Sequence, residues 1–507
     1  MTKKNAWLLF FILLKLSLHL WLINPLYDLH RDEYLHLDQA KHLAWGYDSV
    51  PPFTSWISWI IRLLGNGVFW VKFFPALFGA LTMVVVWKTI ELLKGNLFAL
   101  ALGAVAIIFS AIARLNILYQ PNSMDVLCWT LFYYSIIQFI QSQNKQWLFK
   151  AAVVFALGFL NKYNIVFLLL GFVPAILLSE HRKIFFSRQI YISFLLGLLL
   201  ISPNIYWQIQ NGFPVIHHMQ VLTATQLVHV NRIDFFKEQL LFFMGPLFIL
   251  MASFISFFKY PPFYKYRLFV WSFIFTLLLF AFFKAKTYYA IGLYPILFSF
   301  GAVYLEKILQ TGWRLYLKPV AIAIVVLLFI PVLKVGFPIQ SPAVIEQHAQ
   351  RYKRLGLLRW EDGKDHALPQ DFADMLGWKE LAAKADQAFE QIGDSSHTLV
   401  LCDNYGEAGA INYYSTHKNI AAVTRNGDYY NWFLEDKKIL KNIVLVKDNG
   451  NPDTAMTTER QLFKIVLPAG EIENGYAREF GTRIFILKDY TGSIPLKDKI
   501  IAVRNEK

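Results

Sequence analysis

The stretch MTKKNAWLLFFILLKLSLHLWLINP (residues 1–25) runs almost directly into HRDEYLHLDQAKHLAWGYDSVPPFTSW (residues 30–56). The first is an apolar segment of about the 20 residues that cross a bilayer. Its early charges resemble a signal peptide, but the apolar part is too long and no small-x-small cleavage site follows. It therefore reads as a retained first helix, with Lys3 and Lys4 setting the N-terminus in the cytoplasm. The second stretch opens on an acidic pair, Asp32–Glu33, continues through several histidines and ends in a Pro51–Pro52 turn. A membrane chain that follows its first span with such a loop calls for an explanation.

Composition widens the membrane reading to most of the chain. Of 507 residues, 56% are hydrophobic and 17% charged, against about 25% charged in soluble proteins. The 45 Phe, 25 Tyr and 15 Trp fit lipid contact and interfacial belts. A net charge of +14 does not point to nucleic acid, because many of the cations sit in short loops between apolar runs, where topology sorting puts them; part of that charge could face anionic lipid. The two cysteines, Cys128 and Cys402, have no spacing that implies a disulfide or a metal.

About 11 spans are predicted, near 6–25, 68–92, 97–113, 122–140, 148–161, 163–180, 189–207, 236–258, 267–284, 287–305 and 317–336. The expected inner loops are WKTIELLKGN, QSQNKQW, SEHRKIFFSRQ, KYPPFYKYR and EKILQTGWRLYLK. All are short, and all but the second carry two or more basic residues. An odd count puts the C-terminal part outside the cytoplasm. Residues 1–337 read as a transmembrane domain with long outer loops at 27–67 and 208–235. Residues 338–507 read as an extracytoplasmic α/β domain, with strands in HTLVLCDN, NIVLVKDN, QLFKIVLP and RIFILKDY and a helix in YGEAGAINYYSTH.

Four cations break the sorting rule by falling in short outer loops: Arg114, Lys162, Lys284 and Lys286. Charge near a bilayer is costly, so such groups pair or line a watery cavity. Together they point to an anionic ligand, phosphate being the simplest; singly, each could snorkel to the interface. Lys15 and His19 lie inside the first span and receive no role.

On a helix, Asp32 and His36 share a face, as do Glu33 and His36. An amphipathic interfacial helix would account for the pattern. It does not account for two adjacent carboxylates beside an anion site. Taking a proton from an attacking nucleophile would. A divalent metal held through Asp32, Glu33 or His36 stays open, with His217, His218 and His229 as further loop histidines.

Over essentially its whole length, the chain resembles the GT-C membrane glycosyltransferases, the protein O-mannosyltransferase and lipid A aminoarabinose transferase superfamily. The resemblance rests on Asp32–Glu33 followed by YDSVPPFTSW, on Asp125 in PNSMDVLCWTL, on Lys162 in ALGFLNKYN, on Lys286 and Tyr288 before GLYPILF, and on NYGEAGAINYY in the outer domain. It implies a GT-C fold, a polyprenyl-phosphate sugar donor, Asp32 as catalytic base and a donor phosphate held by Lys162 and Lys286. Two departures stand out. The aminoarabinose transferases carry Glu-Lys just before the Pro-Pro turn and Arg three residues after the catalytic Asp; here those positions are Ser49, Val50 and Leu35. Arg31 or Arg114 could supply the missing charge.

The expected protein is thus a polytopic α-helical GT-C transferase of the bacterial inner membrane. It moves a sugar from a polyprenyl-phosphate donor to a cell-envelope acceptor on the outer face, with inversion. Asp32 and Glu33 are the catalytic candidates; Lys162, Lys286, Arg114 and Lys284 the phosphate ligands; Asp125, His36 and Tyr288 further site residues; and Glu33 and His36 the candidate ligands if a metal is used. A transporter or flippase for anionic lipids would share the spans and the outer cations but has no need of the acidic loop or the globular outer domain. A receptor or scaffold is the third reading. The topology predicts that alkaline phosphatase fused to the C-terminus is active while a reporter requiring the cytoplasm stays dark. The reverse pattern would mean a miscounted span, most readily around Asn161.

Overall fold

The computed structural model describes residues 2–417, 419–450 and 455–505. It consists of two compact units. One comprises Met1–Asn24, Ala44–Ile57 and Leu64–Ile339; the other comprises Pro25–Leu43, Ser58–Leu63 and Gln340–Lys507.

In the first unit a helix stands at every one of the eleven expected segments. Among the described residues, Lys3–Leu22, Val68–Leu92, Asn122–Ser142, Arg188–Gln210 and Gly312–Gly336 are long and apolar enough to cross a membrane. Two bent pairs raise the number to seven at most. Leu97–Ile108, Gln146–Asn161, Leu247–Lys259 and Leu268–Phe282 are apolar but shorter. The architecture is the expected polytopic bundle, without eleven helices of full spanning length. Proline explains two of the shortfalls. The segment expected at 236–258 is split between Arg232–Leu241 and Leu247–Lys259 by Gly245–Pro246. The segment expected at 287–305 starts as a 3₁₀ turn, Thr287–Leu293, and bends by 50° into Pro295–Ile308. Pro lacks the N–H that would continue a helix and fits best in its first turn.

Helices Val68–Leu92, Leu97–Ile108, Asn122–Ser142 and Pro295–Ile308 supply much of the shared apolar core, including Val86, Trp87, Ile107, Trp129 and Phe298. Their neighbours turn large apolar side chains outward, such as Leu13, Trp21, Leu199 and Leu327. In water that surface would be a liability; at a lipid boundary it is the expected one.

The second unit is built on a five-stranded sheet: β1 (Thr398–Cys402), β2 (Ala422–Thr424), β3 (Asn442–Lys447), β4 (Phe463–Glu471) and β5 (Arg483–Tyr490), in the order β2-β1-β3-β5-β4. β1 runs parallel to β2 and β3, and the pairs β3–β5 and β5–β4 are antiparallel. β1 and β3 are buried along their whole length, which is why they read as unbroken apolar runs. Four strands lie where the sequence places them. β2 is too short, at three residues, to give a periodic signal. Edge strand β4 is half exposed and irregular at Pro468–Gly470, features that blunt an edge against stray pairing.

The division at residue 337 needs correction on one point. Residues 25–43 and 58–63 belong to the compact unit of the sheet, although the chain enters it straight from the first apolar helix. The physical reason is a set of specific contacts. Tyr34 packs among Trp378, Tyr413 and Tyr414. Asp38 accepts hydrogen bonds from Tyr429 at 2.8 Å and Asn412 at 2.7 Å. The His42 ring stacks on Trp432 at 4.3 Å. Met375 and Asp374 carbonyls accept from the Asp28 and Arg31 N–H groups.

Helix Arg31–Asp38 approaches helix Tyr405–Tyr414 closely enough to require Gly409. A Cβ there would lie 2.7 Å from Tyr34 Cβ and 2.8 Å from Tyr429 Oη. Helix propensity alone favours Ala over Gly by about 1 kcal/mol. Overpacking costs about 1–3 kcal/mol and should win here. Gly409→Ala is expected to lower the melting temperature of the purified chain; a rise would mean that the two helices separate readily.

Candidate active site

The acidic loop helix owes its start to a reciprocal cap. His30 Nδ1 accepts from the Asp32 N–H at 3.2 Å, and the Glu33 carboxylate accepts from the His30 N–H at 2.7 Å. This is a capping box with His in the place commonly taken by Ser or Thr. His30 Nε2 is 3.7 Å from Asp374 Oδ2. Glu33 is fully buried. Its proximity to Asp32 in sequence invites a catalytic role, but its carboxylate serves the cap that holds Asp32 in place.

Asp32 keeps 36% of its side chain exposed. The Tyr405 hydroxyl donates to its Oδ1 at 2.7 Å. The Arg31 guanidinium lies 4.5 Å from the centroid of the Tyr405 ring. Burial opposes the charge on Asp32, but His30, Arg31, the Tyr405 hydroxyl and His36 outweigh it and lower the carboxyl to about 2. The first turn of a helix also favours an anion. Burial pushes the Tyr405 phenol well up, so it remains a donor. Asp32 is therefore a carboxylate whose ionised form is favoured, bonded by the Tyr405 hydroxyl and partly open to solvent.

Tyr405 is positioned in the same manner as its partner. It is the first residue of helix Tyr405–Tyr414, capped by Asn404 with Glu407 reaching back, a second capping box. Burial and the neighbouring Glu479 push the Glu407 carboxyl well up. His36 is buried, with Nδ1 3.3 Å from Gln39 Oε1, and burial draws its pKa down. Among the described residues no group of three or more His, Cys, Asp and Glu is arranged to hold a metal ion. Glu33 Oε2 serves the cap and His36 Nδ1 lies beside Gln39. His217 and His218 lie on helix Pro214–Thr225 and His229 in the turn Leu227–His229.

The membrane unit holds a separate group. Lys162 is the cap residue after helix Gln146–Asn161. Its ammonium donates to Asn122 Oδ1 at 2.7 Å and lies 4.0 Å and 5.2 Å from the Tyr289 and Tyr288 ring centroids. The charges that act on it are those of Asp125 and Lys286. Asp125 is anchored by the Trp129 indole N–H at 2.9 Å and the Asn164 amide at 3.0 Å. Lys162, Lys286, Asp125 and Tyr288 thus gather from three distant segments. Arg114 stands in the short helix Ile112–Leu115, and Lys284 occupies a left-handed turn (φ 52°) after helix Leu268–Phe282. Neither is among the charges acting on Lys162. Sequence reasoning passed over Tyr405, His30, Asn122 and Tyr289. Tyr405 lies within a stretch quoted for the family resemblance, but nothing local links it to Asp32, 373 positions away.

Residues 49–207 match the family model described as dolichyl-phosphate-mannose-protein mannosyltransferase. A lipid A galacturonosyltransferase, RgtD of Rhizobium johnstonii, is 24% identical over 243 residues, 45% of this chain and 50% of that protein. The chain spans about half the length of this curated relative. Two crystal structures of ArnT from Cupriavidus metallidurans share the fold. The apo form has a TM-score of 0.65 at 15% identity, covering 96% of this chain and 98% of ArnT. The form bound to undecaprenyl phosphate has a TM-score of 0.63 at 13% identity, covering 95% and 98%. The resemblance to the GT-C glycosyltransferases drawn from the sequence holds at the level of the family model and of the fold.

The Asp32 environment has a consequence for stability. A carboxyl lowered from its ordinary 3.8 to about 2 contributes stability that is present above pH about 4 and lost as the pH falls towards 2. Denaturant melts at stepped pH should show a shallower acid loss across that window in Asp32→Asn than in the parent. Identical acid limbs would mean that the fold does not favour the ionised carboxylate.

Proposed function

We propose that this protein is an inverting glycosyltransferase that moves a sugar from a polyprenyl-phosphate donor to a cell-envelope acceptor on the outer face of the inner membrane. The observation that carries the proposal is the Asp32 carboxylate, bonded by the Tyr405 hydroxyl, favoured in its ionised form and 36% exposed. The names of the similar proteins, a galacturonosyltransferase and an ArnT bound to undecaprenyl phosphate, support the substrate class.

In this reading an acceptor hydroxyl attacks the anomeric carbon and the bond from that carbon to the phosphate oxygen breaks. The bonding pair leaves with the lipid phosphate, and the hydroxyl proton passes to Asp32. One displacement with no protein nucleophile inverts the carbon. A carboxylate near 2 is a weak base, so it takes the proton only as the new C–O bond acidifies the hydroxyl; in return it is deprotonated and ready to accept at neutral pH. Lys162 and Lys286 stabilise the charge that develops on the departing phosphate. Asp125 and Asn122 hold Lys162, and the Tyr288 and Tyr289 rings face its ammonium.

Transfer assays in nanodiscs with a polyprenyl-phosphate sugar test these roles. Asp32→Asn should abolish turnover while donor binding persists. If it turns over normally, the base lies elsewhere. Lys162→Met and Lys286→Met should each remove a charge-assisted contact worth about 1.5–3 kcal/mol, or roughly ten- to a hundredfold in donor use. The double variant should cost less than the sum if both hold one phosphate. Strict additivity would place them at separate sites. Mass spectrometry of envelope lipids and glycans with and without the gene identifies the sugar and the acceptor.

A further inference from the structure

The first helix of the membrane unit, Lys3–Leu22, buries one narrow stripe: Phe11, Lys15, His19 and Leu22. The rest of it is largely outward-facing, with Leu9, Phe10, Leu13, Leu20 and Trp21 exposed. Two of the four inward residues are therefore basic. Lys15 is 4% exposed and His19 5%, and Lys72 on the neighbouring helix Val68–Leu92 is also 4% exposed. Both lysines lie close enough to act on His19 electrostatically.

Three features set this cluster apart from an ordinary structural network. Lys15 donates to the neutral Asn116 amide at 2.7 Å, and no carboxylate among the described residues pairs with it. Asn116 in turn donates to Ser123 at 3.0 Å, so the ammonium is anchored by neutral groups that leave its charge uncompensated. Gly79 makes room for this arrangement, because a side chain there would overlap the Asn116 amide. Finally, neither ring nitrogen of the buried His19 makes a well-formed hydrogen bond, although the Lys72 backbone is near enough to act on the ring. A buried imidazole so poorly satisfied is unfavourable. Ionisable groups within a spanning segment mark a ligand or ion site by default.

The depth of the cluster narrows the ligand. His19 and Lys15 lie three and seven residues before the end of their helix, or about 5 and 10 Å at 1.5 Å per residue. Lys72 lies about 6 Å inside the start of its own helix by the same measure. Trp21, an interfacial residue type, is 62% exposed beside them. In a spanning helix such positions fall towards the end that faces one headgroup region. We propose that Lys15, His19 and Lys72 form a binding site for the phosphate ester of a membrane lipid. The site is distinct from the Lys162–Lys286 group and does not depend on the proposed transfer reaction.

The test uses the full chain in phosphatidylcholine nanodiscs, titrated with phosphatidylglycerol in one arm and undecaprenyl phosphate in the other, with melting temperature as the readout. A ligand that binds only the folded state raises it. The parent should respond to at least one of these lipids. Lys15→Met with Lys72→Met should weaken the response at least tenfold in the concentration required. It should also be no less stable than the parent in phosphatidylcholine alone, because two buried charges are gone. The single variant Lys72→Gln gives a milder second reading if the double variant does not fold. Lys162→Met with Lys286→Met removes the donor group's own share of the undecaprenyl phosphate response and should retain the share that Lys15 and Lys72 supply, which separates this site from the donor group. A response to phosphatidylglycerol assigns the site to bulk anionic lipid; a response to undecaprenyl phosphate alone, persisting in the Lys162 and Lys286 variant, assigns it to a polyprenyl carrier. A parent that responds to neither lipid, a response lost outright in the Lys162 and Lys286 variant, or one that persists there unchanged when Lys15 and Lys72 are also replaced, would overturn the proposal.

Discussion

The hydrogen bond from Tyr405 to Asp32 is the contact around which the sheet-bearing unit is organised. It is short, 2.7 Å, and its acceptor is charged, which makes it stronger than a neutral pair. Each partner stands in the first turn of its own helix, and each helix is started by its own capping box. Four backbone N–H groups at each helix start need acceptors. Glu33 and Glu407 bond back to the residues just ahead of their helices and in doing so fix the two helix ends. Tyr34, Asp38 and His42 then extend the same contact surface along the loop. A segment that is contiguous in sequence with a membrane helix is thereby committed to the fold of the sheet-bearing unit.

The membrane unit follows a different logic. Its packing is almost wholly apolar, so every buried charge must be met by a specific neighbour. Asp125 does this for Lys162, with Trp129 and Asn164 fixing its geometry. Lys15, among the described residues, has the Asn116 amide as its acceptor. The contrast is informative because both lysines belong to one unit and are held by adjacent stretches of chain, at Asn116 and Asn122. A lysine beside a carboxylate has its charge compensated within the fold; one beside an amide has no opposite charge to meet it.

Much of this was legible in the sequence. Hydropathy located all the apolar helices, because spanning length and composition are local properties of a chain in lipid. Four of the five strands were visible as short apolar runs. The acidic loop, Lys162 and Lys286 stood out because they violate local rules of charge placement. Helix continuity was less accessible. Pro246 and Pro295 interrupt segments whose hydropathy runs on unbroken, since a proline removes hydrogen bonds without reducing hydrophobicity.

What the sequence determined by itself was therefore the solvent of each segment and the residues that do not suit it. Only the tertiary structure decided their partners. It made Glu33 a capping group, brought Tyr405 to Asp32 from 373 positions away, and turned Lys15 and His19 to the buried stripe of the first helix rather than to lipid. Those outcomes depend on which surfaces meet. The same side chain costs or contributes free energy according to the dipoles and charges it finds there, and that information is held in the packing, not in any local stretch of the chain.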